Sequence, residues 1–330
     1  MTFVLENESH FEHSALDKKS KIYKSVLSRF VQGEEVCVSL SGGVDSMVIA
    51  SILKEKCKCT ALHINYKNRV ESDAEQAFLE MWCSHYGIPL KVLTMKMTRD
   101  TSERNDYEKE TNALRYSFYK ENCDSIILGH HRNDIAENVI ANVMARKSLF
   151  DLHSMPYTSV IHGVTVKRPL IDNYKCDILS FALEHGIPYF KDTTPSWSVR
   201  GRLRNSLFKS FESIYKTYDH ALNNLADECM EWKGIVHEHI IEPMYNQVYT
   251  NKPRTDNIYI RRNVLYRKPF VIWKRFFTYV LHQNGMSMIS NSSMNELYNK
   301  CSKHNFIGKV QLKKGMVCEA TEDYLDISLI

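Results

Sequence analysis

The run from Val36 to Leu53, VCVSLSGGVDSMVIASIL, constrains the fold more than any other stretch of the chain. An apolar β-type segment (Val36, Cys37, Val38, Leu40) enters a small polar turn, Ser41-Gly42-Gly43-Val44-Asp45-Ser46. It leaves as a helical run of Met47, Val48, Ala50, Ile52 and Leu53. Two adjacent glycines let the backbone approach a ligand closely. The following helix aims unpaired N–H groups and its positive dipole end at the turn, which suits a phosphate. Ser41 and Ser46 add hydroxyl donors. A Walker-type loop needs Gly-Lys-Ser/Thr here and a dinucleotide fingerprint needs a third glycine; neither is present. An acid stands in the lysine's place, and Asp45 in an anion-binding turn makes sense with Mg2+ between carboxylate and phosphate. The plainer alternative is an ordinary Gly-Gly helix start.

The pattern on either side alternates. Residues 1–32 hold an amphipathic helix (Ile22, Val26, Leu27, Phe30) ahead of the first strand. Cys59 to Tyr66 is a second strand, and Ser72 with Glu75 forms a capping box for a helix that Gly87 and Pro89 end. Leu90 to Met97 is a third strand, Thr98 to Tyr107 a polar loop, and a helix carrying Leu114, Tyr116 and Phe118 follows. Ser125 to Gly129 is a short apolar strand, after which Asn133 or Asp134 caps another helix. Strands separated by helices predict a doubly wound parallel α/β sheet, whose ligands sit outside the carboxyl ends of its strands.

One of those strand ends reads Gly129-His130-His131-Arg132-Asn133-Asp134-Ile135-Ala136-Glu137-Asn138. Two histidines and two acids at a helix start leave two readings open beside a functional one: a zinc site on His131, Asp134 and Glu137, or a capped helix with solvated charges. The nine cysteines are scattered and include no C-x-x-C, so reduced thiols are expected, with Cys123 and Cys176 read as isolated core residues.

The turn Ser-Gly-Gly-x-Asp-Ser after a strand resembles the PP-loop of the ATP pyrophosphatases, which split ATP into AMP and pyrophosphate to activate a carbonyl oxygen. Further segments are similar, in order, to the tRNA-modifying members and above all to the lysidine synthases. Leu62-His63-Ile64-Asn65 with Arg69 is similar to V-H-V-N-H-G-L-R, with Tyr66 in place of the second histidine. Arg115-Tyr116 is similar to the second half of A-R-x-x-R-Y, G-H-H-x-x-D-x-x-E recurs at Gly129 to Glu137, and Arg168-Pro169-Leu170 matches R-P-L. Asp192-Thr193-Thr194 and Arg204-Asn205 are similar to D-[PS]-[ST]-N…R-N. Asn133 and Asn138 depart from the usual aspartate and threonine, and nothing past Asn205 is matched.

The resemblance implies a PP-loop (adenine nucleotide alpha hydrolase-like) domain, a helical linker and a small α+β C-terminal domain. It implies Asp45, Arg115, His131 and Asp134 as catalytic, with Asp45 and Asp134 as ligands of Mg2+. It implies Ser41, Gly42, Gly43, Val44, Asp45, Ser46, His63, Gly129, His130 and Arg168 around ATP. The implied reaction adenylates C2 of an anticodon cytidine, and lysine then displaces AMP. Thiolation of a tRNA base by the same activation, or a silent RNA-binding homologue, are the alternatives.

Charge adds a partner. The net charge is +4, with 24 Lys/Arg against 26 Asp/Glu in residues 1–195 and 19 against 13 afterwards, so the second half is the basic one. Arg200, Arg202, Arg204, Asn205 and Lys209, interleaved with Trp197 and Phe208, are the candidate RNA-binding stretch. Tyr259 to Arg275 holds a second set of cations and aromatics. Leu207, Phe211, Ile214, Tyr218, Leu222 and onward to Val236 recur at helical spacing and demand a partner surface. The expected organisation is an N-terminal helical extension (1–32), a catalytic domain (33–205), a long helical linker (206–240) and a C-terminal domain (241–330) with tRNA binding as its candidate role. The expected partners are tRNA and lysine, with a homodimer left open. No apolar run is long enough for a membrane span and the N-terminus carries acids, so a cytoplasmic protein without a membrane partner is expected.

Overall fold

A computed structural model describes residues 5–6, 13–67, 71–95, 104–153, 155–191, 198–250, 257–302 and 306–329, without the side chains of 5–6, 104–109 and 249–250. Arg69, Asp192, Thr193, Thr194, Trp197 and the expected loop over 98–103 lie outside the described residues. The chain divides into two compact units, Met1–Cys229 and Met230–Ile330.

The first unit opens with β1 (Leu5–Glu6) and α1 (Lys21–Leu27), then β2 (Glu35–Ser39), α2 (Val44–Leu53), β3 (Lys58–Asn65), α3 (Ser72–His85) and β4 (Leu90–Thr94). It continues through α4 (Arg104–Asn122), β5 (Ser125–Ile127), α5 (Arg132–Met144), β6 (Thr158–Ile161), β7 (Val164–Lys167), α6 (Lys175–His185) and β8 (Tyr189–Phe190). Six strands form one sheet in the order β4-β3-β2-β5-β7-β6. All adjacent pairs are parallel except β6–β7, which closes the edge as an antiparallel hairpin. From β2 the chain winds outward through β3 and β4, then returns to β5 on the other side of β2. The crevice beyond the ends of β2 and β5 is therefore the topological switch point, where open α/β sheets bind ligands.

Period-2 burial supplies both faces of that sheet. Val36, Val38, Leu40, Cys59, Ala61 and Ile127 join α1, α2, α3 and α6 in one core. Leu62, Ile64, Ile126 and Leu128 join Tyr116 and Tyr119 of α4 in another. Every residue of α2 is buried except Asp45. A helix enclosed on all sides fixes its first turn rigidly, and the one residue left at the surface is the acid.

Four local expectations change. α4 begins at Arg104, so the polar stretch around Tyr107 is helical rather than loop; its Lys and Glu are good helix formers. Glu71, not Ser72, caps α3. The cap of α5 is His131, because Asp134 reaches back to accept its backbone N–H at 2.9 Å. Cys176 is exposed rather than core, since Ile178, Phe181 and Ala182 take the buried face of α6.

After α7 (Val199–Arg202), a π-helical turn (Leu203–Leu207) and α8 (Phe208–Ile214), the helical run breaks at Tyr215 and resumes as α9 (Tyr218–Val236). Tyr218 returns to stack on Phe208 at 5.2 Å. Leu222 and Ala226 of α9 meet Ile135 and Val139 of α5, a surface that its spacing required.

The second unit contains a π-helical turn (His237–Ile241), α10 (Glu242–Tyr245), β9 (Val248–Thr250), β10 (Ile258–Arg261), α11 (Arg262–Leu265), α12 (Phe270–Gln283), α13 (Asn291–Cys301), β11 (Gly308–Lys313), β12 (Met316–Ala320) and β13 (Tyr324–Leu329). Its antiparallel sheet has the order β11-β12-β13-β10-β9, and α12 and α13 bury Trp273, Phe276, Phe277 and Leu297 in one core with it. Among the described residues no helix is long and apolar enough to cross a membrane.

Candidate active site

The turn between β2 and α2 is built by its own small residues. Gly42 takes φ +82°, a left-handed conformation that favours glycine, and a Cβ there would lie 3.0 Å from the Phe190 ring. Its carbonyl accepts from the Phe190 N–H at 3.0 Å, so β8 backs the turn. Gly43 caps α2. Ser46 Oγ donates to the Gly43 carbonyl at 2.9 Å and lies 3.2 Å from both the N and the Oγ of Ser41, tying the two serines across the loop. Asp45 follows in the first helical turn.

β5 supplies the facing wall. It is only three residues long, and Leu128 and Gly129 carry the chain over the turn. A Cβ on Gly129 would stand 2.8 Å from Asp45 Cβ, so only glycine permits this approach. His131 Nε2 then lies 3.7 Å from Asp45 and 3.5 Å from Asp134, between the two carboxylates. Arg204 pairs with both Asp134, at 2.9 Å, and Glu137, and Arg200 Nε lies 3.7 Å from Glu137. Burial alone would raise the Asp134 carboxyl, but His131, His130, Arg200 and Arg204 together hold it below the usual carboxylate range. For Glu137 burial wins and pushes the carboxyl up against the pull of Arg204 and Arg200.

Lys175, the first residue of α6, sits on Asp45 with Nζ 2.7 and 2.8 Å from its two oxygens. On the other flank Arg115 donates through Nε and Nη2 to the Tyr66 hydroxyl, the former at 2.8 Å. Tyr119 and Ser39 share a hydrogen bond of 2.7 Å beside them. These groups line one cavity of about 740 Å³, a size suited to a nucleotide-class ligand.

Of the residues expected at the site, Ser41, Gly43, Val44, Asp45, Ser46, Arg115, Gly129, His130, His131 and Asp134 line this cavity, as do Arg200, Arg204, Asn205 and Lys209. Gly42 lies behind the turn. Arg202 is exposed and away from the lining. His63 is buried, its Nδ1 donating to the Leu40 carbonyl at 2.8 Å, and burial lowers its pKa. Its neighbour Asn65 donates to Asp73 and Gln76, both at 2.9 Å, and so orients the end of β3 against α3. Arg168 is 2% exposed and stands behind His130, outside the cavity lining. Burial pushes the His130 imidazole down to about 3.

The zinc alternative needs His131, Asp134 and Glu137 to converge on one ion, and they do not. Among the described residues no three His, Cys, Asp or Glu form a metal-holding group. Mg2+ is a different test, because it binds through one or two carboxylates together with substrate phosphates and water. Asp45 and Asp134, on either side of one imidazole, supply two carboxylates for that requirement once Lys175 and Arg204 have left them.

Lys175 was not expected from sequence. A lysine in the first turn of a helix opposes the dipole, and that unfavourable placement was the available sign of an anion nearby. Glu137 had the sign of its spacing, three residues after Asp134 on the same helical face.

A family profile for the PP-loop domain matches residues 12–211. The chain is 31% identical over 201 residues to the tRNA(Ile)-lysidine synthase of Chlamydia pneumoniae, an alignment covering 59% of this chain and 63% of that protein. It is 30% identical over 224 residues to the tRNA(Ile)-lysidine synthase of Chlamydia abortus, covering 65% and 69%. The chain thus spans about three-fifths of the length of the first of these relatives. Among solved structures, the U34-tRNA thiolase NcsA from Methanococcus maripaludis, with its [4Fe-4S] cluster, is similar in fold at TM-score 0.51 and 19% identity, over 64% of this chain and 78% of that one.

Proposed function

The chain belongs to the PP-loop family, and from that premise we propose that it is an ATP-dependent tRNA-modifying enzyme of the lysidine-synthase type. The observation that carries this reading is the meeting of the serine-tied turn and the His131–Asp134 helix start across a single cavity, with Asp45 and Asp134 flanking the same imidazole. In the first step the C2 oxygen of a cytidine attacks the α-phosphorus of ATP and the bond to pyrophosphate breaks. In the second the lysine amine attacks C2, AMP leaves with the oxygen, and the amine loses its proton.

The backbone amides of Gly43 to Asp45 and the hydroxyls of Ser41 and Ser46 would hold the pyrophosphate as its charge develops. Mg2+ held by Asp45 and Asp134 would supply positive charge to the phosphate oxygens. Lys175 must then leave Asp45, and a phosphate is the natural acceptor for it. Arg115, oriented by the Tyr66 hydroxyl, would offer its charge to the α-phosphate. Arg200, Asn205 and Lys209 at the cavity edge would meet the RNA backbone, with Arg204 moving between acid and phosphate.

The protein incubated with ATP, Mg2+, labelled lysine and total tRNA should place label in RNA and release pyrophosphate in equal amount. Asp45→Ala should lower the rate by at least about 10²-fold, the scale for removing a transition-state electrostatic contact. Sulfur rather than lysine in the RNA would favour thiolation. An Asp45→Ala variant with RNA binding and biological function both intact would favour a silent binding module.

A further inference from the structure

Arg168 is a cation in an unusual setting. It is 2% exposed, and among the described residues no carboxylate pairs with it, although burying a guanidinium without an acid is unfavourable. Its bonds run instead to neutral groups: Nη1 donates to the Pro156 carbonyl at 2.8 Å and to Ser159 Oγ at 2.9 Å, and Nε donates to His130 Nδ1 at 3.1 Å. The first two fix the plane of the guanidinium, and the third is directional.

A guanidinium has donors and no acceptor. The His130 Nδ1 facing it must therefore carry the lone pair, which places the ring proton on Nε2. Because Arg168 lies behind the ring while His130 lines the cavity, Nε2 is the nitrogen left for a ligand. His63 shows the opposite arrangement, with Nδ1 facing the Leu40 carbonyl at 2.8 Å. The two histidines are thus set in opposite tautomers by their partners.

We propose that Arg168 is a positioning residue acting through His130: it locks the imidazole as the Nε2–H tautomer, so that His130 meets a phosphoryl or carbonyl oxygen in the cavity as a hydrogen-bond donor and never as a base. This replaces a direct contact between Arg168 and ATP. It rests on the proposed activity for its kinetic arm alone.

The test begins with the unsubstituted protein carrying 15N-labelled histidine, the His130 signals being assigned by their loss in His130→Gln. A protonated Nε2 and a lone-pair Nδ1 are expected, and a proton on Nδ1 overturns the proposal. In Arg168→Met, which removes the donor facing Nδ1, the ring should become a mixture of tautomers. The rate of pyrophosphate release at saturating ATP should fall roughly 10- to 100-fold, the range for a partner that orients a functional imidazole, with KM for ATP little changed. His130→Gln, which keeps an N–H donor, should retain more activity than His130→Ala. An unchanged tautomer in Arg168→Met, or a raised KM with kcat preserved, overturns the positioning role, the latter in favour of a phosphate ligand. Complete absence of ATP turnover would defeat the proposed function, while the spectrum still decides the tautomer.

Discussion

Each of the three carboxylates around the cavity carries a cation from this chain: Asp45 has Lys175, Asp134 has Arg204, and Glu137 has Arg204 and Arg200. Asp134 gives the clearest consequence for stability. Its carboxyl is held below the ordinary value of 3.8, so around that pH the unfolded chain binds more protons than the folded one. Its contribution is complete above that value and is lost as pH falls below it. Asp134→Asn should cost about 1–3 kcal/mol near neutral pH, since Arg204 loses one of two acids. Urea denaturation should then show a smaller further loss for the variant than for the parent on going from about pH 5 to pH 3. Equal losses would mean that the cations around Asp134 do not hold its carboxylate in solution.

Among the elements, α2 and the end of β5 set the precision of the site. α2 presents only Asp45 outside the core, and Gly129 brings the next strand end within van der Waals contact of it. Gly129→Ala forces a Cβ to 2.8 Å from Asp45 Cβ. Overpacking of this kind costs about 1–3 kcal/mol, and the same shift should separate Asp45 from His131. A lower urea midpoint together with slower pyrophosphate release is expected, and wild-type values for both would show that the turn has slack. This scale was the most legible in the sequence. Alternating burial in Val36, Val38 and Leu40, and the apolar run before Gly129, mark strand ends because side-chain period is a local property. What stayed hidden was carried by pairs distant in sequence. Lys175 reaches Asp45 across 130 positions, and Arg204 reaches Asp134 across 70. Nothing in the local pattern around Arg204 distinguishes a cation turned toward an acid from one turned toward solvent, so Arg200 is legible only as part of a basic stretch, and Arg204 only as that and as the start of the R-N match.

For the molecule as a whole, the winding outward from β2 and back to β5 places both glycine-bearing strand ends in one crevice. That much follows from the order of strands and helices along the chain. The charge state of the crevice does not follow from the net +4. Of the six lysines and arginines among the residues lining the cavity, Lys175, Arg200 and Arg204 lie on carboxylates of this same chain. When a polyanion takes such a cation, it displaces a protein carboxylate rather than a small ion from solution. Counterion release, which makes polyanion binding steeply salt-dependent, is reduced accordingly. A plot of log affinity against log salt for ATP or RNA should thus have a slope well below that set by six open cations, and a slope matching all six would mean that these internal pairs stand open before the ligand arrives.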